Sequence, residues 1–414
     1  MSNTGCYRGE IVVPRFYYLL KISLCFLVFA ASSWVFAGSR EQAKRIHDRI
    51  AGVPPSASTL DAMAAQIDLG NTLAAALIAV EDDAFYNVTL KNWITPWTNF
   101  DQTVFAPLND YTATLIGVIR DDIDFRTAFY DDILYVGNTT GLPAYAINSN
   151  AHYETLEESG VSLKTALVQR TQSSLSGLPA DATAGIITSR ASAKAFFIDG
   201  TNRAMFRFTL LNHLCVDLEQ VRDNTRTPDR IRQDVTRSPG GDSRVFTNNC
   251  LSCHAGMDPM AQAYAYYDFS RDIENDPEGN NGFISYNAAG TVDETTGTRV
   301  ERKYLVNANN FQFGFQTPDD EWRNYWRAGP NANLGWDSSL TGTGFGAKTM
   351  TQELAHSEQF AQCQVEKVFK AMCLREPSNA ADRTQVATLV DTFQQNSYQL
   401  KPIFAGAAAF CMGD

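Results

Sequence analysis

The chain has 414 residues, 44% hydrophobic and 19% charged, which is enough apolar side chain for a sizeable core and too much for a disordered or collagen-like polypeptide. Its 34 Lys+Arg against 46 Asp+Glu give a formal charge of −12, which argues against a chain whose main task is neutralising phosphates; no nucleic-acid partner is expected. Eight cysteines are too few for a small disulfide scaffold, but two of them stand one helical turn apart and are followed at once by a histidine.

Residues 1–37 read as an export signal. Arg8, Arg15 and Lys21 precede an apolar run from Ile22 to Phe36, and Val35-Phe36-Ala37 offers a cleavage site after Ala37. The rival reading is an uncleaved anchor, because Phe16 to Ala37 would span a bilayer if Lys21 reached the interface. Contact with a membrane is expected only through this segment. No twin-arginine pair occurs, so secretion in an unfolded state to the periplasm or cell surface is expected. Cleavage would leave Cys215, Cys250, Cys253, Cys363, Cys373 and Cys411, an even set for a compartment in which disulfides persist.

From Arg40 to about Arg190 the pattern is helical, and 38–190 is read as a helical N-terminal domain. Ala43–Ile50 is one helix, ended by Gly52-Val53-Pro54-Pro55, and Leu73–Val80 belongs to another. Tyr111–Arg120 is a third, with Asn109 or Asp110 as its cap. Residues 191–414 form the second unit. It opens with an apolar stretch from Arg203 to Leu214 that closes on Cys215. Residues 270–346 lose helical periodicity and read as a loop-rich insertion with short strands. Helices return over 349–414: Thr349–Cys373 carries Met350, Leu354, Ala361, Val365, Val368 and Met372 in one sector, and Arg383–Gln394 leads towards Cys411. The fold class is therefore mainly α.

Cys250-Leu-Ser-Cys253-His254 is the attachment signature for a c-type haem. Two thiols a turn apart suit two thioether bonds to one porphyrin edge, and His254 would be the proximal iron ligand. One covalent haem c is the expected cofactor; the competing reading is a disulfide between Cys250 and Cys253. Zinc is disfavoured, since no second ligand pair completes a tetrahedral set. The chain has five histidines, and the sixth iron position could go to Met350, just beyond the glycine-rich Thr341–Gly346. Met350 is equally readable as a core residue, His356 and His213 are alternatives, and an open position is a further possibility. Asp272–Glu278 imitates a calcium loop, but Pro277 stands where an EF-hand needs glycine, so a solvated acidic turn is expected. Met257-Asp258-Pro259 is expected to form the turn leaving the haem helix, capped by Asp258.

On one helix, Cys363 and Cys373 lie roughly 15 Å apart in rise, beyond disulfide reach. Cys215–Cys363 with Cys373–Cys411, or Cys215–Cys373 with Cys363–Cys411, both remain open.

The run Cys250-Leu-Ser-Cys253-His254-Ala-Gly-Met257-Asp258-Pro259, followed by Tyr266-Tyr267-Asp268-Phe269, resembles the planctomycete-type cytochrome c-like proteins, a family of exported monohaem chains. Gly185-Ile-Ile-Thr188, Asn202-Arg203, Leu211-Asn-His-Leu214-Cys215 and Leu354-Ala-His-Ser357-Glu-Gln-Phe360-Ala-Gln-Cys363 are similar to further motifs of that family. The resemblance covers about 185–268 and 347–373. It implies a cytochrome c-like haem domain and favours the Cys215–Cys363 pairing. The chain departs from the pattern in lacking a proline cluster after Cys215, and Met350 falls where the family has another apolar residue.

The function expected from sequence is single-electron transfer, by an exported monohaem cytochrome, to or from an envelope redox protein with a basic face. Two alternatives are a peroxidase-like or oxidase-like haem enzyme with an open sixth position, and a structural or surface-binding module.

Overall fold

The computed structural model describes residues 38–197, 202–226, 228–232, 242–305 and 314–413. The expected signal segment, 1–37, lies outside them. Among the described residues no helix is long and apolar enough to cross a membrane.

The architecture is mainly helical, with three two-stranded antiparallel sheets. Helix α1 (Ser39–Ala51) turns Ala43, Ile46, His47 and Ile50 inward, the spacing of one helical face. It stops at Gly52, whose φ of 74° places its N–H on the Asp48 carbonyl. Helices α2 (Ala57–Asp68) and α3 (Thr72–Val80) pack with α1 as a small bundle. Helix α4 (Asp110–Arg120) starts where the Asn109 side chain accepts the Thr112 N–H at 3.0 Å, and its residues from Asp110 to Ile119 are all buried. Strands β1 (Leu134–Gly137) and β2 (Leu167–Arg170) lie against α4, with Tyr135 opposite Gln169. The close approach needs Gly117, where a Cβ would come within 2.1 Å of the Tyr135 ring.

Helices α5 (Ala151–Glu158), α6 (Arg190–Phe196) and α7 (Arg203–His213) lead to helix α8 (Leu251–Ala261), which carries Cys253 and His254, with Cys250 immediately before it. After α8 come strands β3 (Tyr267–Ser270), β4 (Phe283–Tyr286), β5 (Glu321–Arg323) and β6 (Thr343–Phe345), paired β3 with β4 and β5 with β6. The loop-rich insertion therefore has the short strands its composition suggests. It is anchored from within: Glu353 is 1% exposed and accepts both arms of the Arg327 guanidinium at 2.7 Å and the Asn324 amide at 2.8 Å. Trp322 adds an Nε1–H bond of 2.8 Å to Thr349.

The single helix expected over Thr349–Cys373 is two helices, α9 (Gly346–Ala355) and α10 (Glu358–Cys373). Ser357 makes the break: it is extended, and its hydroxyl caps α10 by accepting the Phe360 N–H at 3.2 Å. Serine competes for backbone hydrogen bonds in this way, and apolar periodicity on either side conceals it. Cys363 and Cys373 both belong to α10, so they cannot meet. Cys215 is bonded to Cys363 and Cys373 to Cys411, each pair with Cα atoms 5.3 Å apart. Helix α11 (Ala380–Gln395) precedes α12 (Lys401–Phe410), which returns to the N-terminal bundle. There Phe404 meets Phe85 and Trp93 edge-on, with centroids at 5.1 Å. One continuous apolar core extends from Ala43 to Ala408.

Candidate functional site

The thiol pair sits where a π-helical turn, Phe246–Cys250, runs directly into α8. Cys250 is helical in its own dihedrals and Cys253 follows one turn later, so the two side chains rise from one edge of the helix. Both are free thiols of intermediate exposure, whereas the four other cysteines among the described residues are closed into disulfides. The Cys253 thiol donates to the Leu218 carbonyl at 3.6 Å, and the Asp223 N–H donates to the Ser252 carbonyl at 3.0 Å. Residues 216–223 thus lie across the turn, directly after the Cys215–Cys363 bond that holds their leading end.

Behind the thiols is a buried charge cluster. His254 and Asp258 share a helix face at the i, i+4 spacing, and the His254 Nδ1 and an Asp258 carboxylate oxygen are 3.1 Å apart. Arg203, at the start of α7, reaches the same carboxylate through Nε at 2.9 Å and Nη2 at 3.2 Å. Asp258 is wholly buried. Burial alone would raise its carboxyl, but Arg203, the His254 hydrogen bond and Arg232 outweigh that and hold it well below the usual carboxylate range. Asn202 supports the arrangement from the adjacent position. Its φ of 58° is left-handed, and its amide donates to the Tyr264 and Tyr267 carbonyls at 3.0 and 3.1 Å, tying the start of α7 to the segment that leaves α8.

Asp258 is therefore not the cap of a turn. Met257, Asp258 and Pro259 all lie inside α8, with Pro259 giving up one helix hydrogen bond. The sequence signal for the charge cluster was the His254/Asp258 spacing itself, which the familiar turn chemistry of Asp-Pro masked. The partner arginine is 55 residues away in sequence, and no local pattern points to it.

Met350 is fully buried in α9, which packs chiefly on the turns at 125–129 and 262–264. His356 donates from Nδ1 to the Gln352 carbonyl at 2.9 Å and lies against Tyr130. His213 is buried with its Nε2 at 2.6 Å from the Tyr111 hydroxyl and with Phe129 and Trp97 at its edges. Burial, then nearby Lys367, push its pKa well below the ordinary histidine value, so the ring is neutral.

The expected haem c is corrected by this donor set. Among the described residues no three His, Cys, Asp or Glu side chains converge to hold a metal ion. Of the motif's polar groups, the Cys253 thiol is turned to the Leu218 carbonyl and the His254 Nδ1 to Asp258. Gly256 is closed off by Trp326, whose Nε1 would lie 2.0 Å from an added Cβ. The structure thus gives haem c no positive support. The acidic stretch at Asp272–Glu278 is a set of capped turns: Asp272 accepts the N–H groups of Glu274 and Asn275, and Asp276 those of Asn280 and Asn281.

The contact between Gly256 and Trp326 yields a prediction. Gly256→Ala forces the buried indole away from α8 and should cost about 1–3 kcal/mol, as overpacking does. Chemical denaturation measures the loss, and a changed tryptophan emission in the native state reports the displaced ring. Unchanged stability and emission would contradict the packing described.

No known family model, curated protein or solved structure matches the chain.

Proposed function

We propose that the chain is an exported redox protein whose working centre is the Cys250–Cys253 thiol pair, exchanging electrons with a disulfide on a partner protein. One observation carries this reading: among the described residues four cysteines are closed into disulfides, and the two kept as thiols stand one helical turn apart. Positions one helical turn apart are close enough for a disulfide. The structural disulfides favour an oxidising compartment, in which a persistent dithiol has something to do.

The exchange balances without any further reactant. Cys253 is turned towards the Leu218 carbonyl, which leaves Cys250 to attack as a thiolate. One partner sulfur bonds to Cys250 while the other leaves as a thiol, taking up the proton that Cys250 gave up. Cys253 then attacks the Cys250 sulfur, closes the intrachain disulfide and releases the second partner thiol. The chain loses two electrons and two protons, and the partner gains both. The His254–Asp258–Arg203 cluster fixes the backbone of this helical turn during the change. The net negative charge of the protein favours a partner with a basic face and an association rate that falls with salt.

Thiol titration and intact mass of the secreted protein test the proposal. The native chain should present two reactive thiols and lose two hydrogens on equilibration with glutathione disulfide. Cys253→Ser should arrest the reaction as a glutathione adduct on Cys250. If both sulfurs are unreactive even after denaturation, or if the intact mass exceeds that of the polypeptide because the sulfurs carry a covalent group, the proposal is wrong.

A further inference from the structure

Away from the thiol pair, a cleft of about 480 Å³ opens between the 98–107 loop, the start of α5, helix α6 and the turn at Asn280. Its volume is in the range of small-molecule sites. Arg190, 7% exposed, forms the floor. Its guanidinium donates to the carbonyls of Gly279, Asn280 and Gly282 at 3.2, 2.7 and 2.9 Å. The Lys194 ammonium, one turn further along α6, donates to the Asn280 side-chain oxygen at 2.7 Å. Among the described residues both cations are thus held by neutral oxygens, with no carboxylate in hydrogen-bond contact. Burial, and then the neighbouring Arg190, lower the Lys194 pKa, while Asp276, Glu278 and Glu154 act in the opposite direction.

The remaining walls restrict what that anion can be. Phe100 is 60% exposed at the cleft, its ring in tilted contact with Phe208 at 4.9 Å, so an apolar surface lines the same cleft as the cations. Glu154, hydrogen-bonded to the Asn150 amide at 3.1 Å, adds a negative group to the wall and disfavours a second anionic charge on the ligand. The rim is already ordered, because Asp276 holds the N–H groups of Asn280 and Asn281 at 2.8 and 2.6 Å. The acidic turn therefore shapes the cleft, and little ordering is left to be done on binding.

We infer that this cleft is a binding site for a small monocarboxylate with an apolar or aromatic body, its carboxylate on Lys194 and its apolar part against Phe100. The site is independent of the thiol pair.

Titration calorimetry with 3-phenylpropionate and its neutral amide, on the full secreted chain, tests the inference. The acid should bind saturably and the amide about tenfold more weakly or less, the usual margin of a charge-assisted hydrogen bond. Lys194→Gln should weaken the acid by a similar factor and leave the amide unchanged, Lys194→Arg should retain acid binding, and Phe100→Ala should weaken both ligands. Each variant is compared at matched circular dichroism and thermal midpoint. Lys194 and Phe100 are at least partly exposed, and the fold does not depend on either. Absence of saturable acid binding, equal affinity for acid and amide, or indifference to Lys194→Gln would each overturn the inference.

Discussion

Asp258→Ala should destabilise the protein by about 3–5 kcal/mol, the cost of removing one partner from a buried ion pair. Arg203 and His254 both direct polar atoms at this carboxylate, so each loses an acceptor. Combining Asp258→Leu with Arg203→Met should recover much of the loss, because an apolar pair needs no compensation. Urea denaturation of the three proteins measures the difference. Equal stability of wild type and Asp258→Ala would show that the cluster does not hold the helices together.

The same carboxylate sets a pH dependence. Its folded-state pKa lies below its ordinary value, so the unfolded chain takes up the proton first as pH falls. The stabilisation is complete above the ordinary carboxyl value of about 4 and is lost as pH falls below it towards the lower folded-state value. Acid titration of stability should therefore be steeper for the wild type than for Asp258→Ala. Parallel curves would exclude Asp258 as a source of acid sensitivity.

Removing the disulfides is the second large perturbation. Cys215–Cys363 closes a loop of sequence separation 148 and Cys373–Cys411 one of 38. Chain entropy assigns them about 5 and about 4 kcal/mol respectively. Paired serine substitutions, measured by denaturation under non-reducing conditions, should reproduce that order. The longer bond has a second effect, because Cys215 anchors the segment whose Leu218 carbonyl receives the Cys253 thiol. Its loss should speed alkylation of Cys253 at denaturant concentrations far too low to unfold the chain. An unchanged alkylation rate would mean that residues 216–223 stay in place without the crosslink.

Much of the helical framework was legible because it obeys local rules. The cap at Asn109, the stop at Gly52 and the 3.6-residue stripes of α1 and α10 can be read from neighbouring residues alone. The break at Ser357 was hidden because the apolar stripe continues across it, and α12 was not anticipated because an alanine-rich stretch has weak periodicity. The pairing of cysteines was legible in two ways: helix rise excluded one combination, and the family resemblance favoured Cys215–Cys363, the bond that packing of α10 against α7 and α12 makes. At the site, the thiols and His254 were visible as a motif, but their environment is tertiary. Arg203, Leu218 and Trp326 reach α8 from three separate parts of the chain, and their contacts change what the motif supports. The cleft beside Lys194 was invisible for the same reason, since its walls come from four stretches between Thr98 and Asn280.

The return of α12 to the N-terminal bundle bears on how this protein matures. Arg45 binds the Met412 carbonyl, Arg49 binds that of Met372 at 2.7 Å, and Gln42 binds that of Gly413 at 3.0 Å, while Ile403 and Phe404 complete the core of the first helices. A polypeptide made from its amino end delivers α1, α2 and α3 long before the surface they need. Those helices wait, apolar faces uncovered, until the last stretch is complete, so this topology lengthens the time for which the nascent chain is open to aggregation.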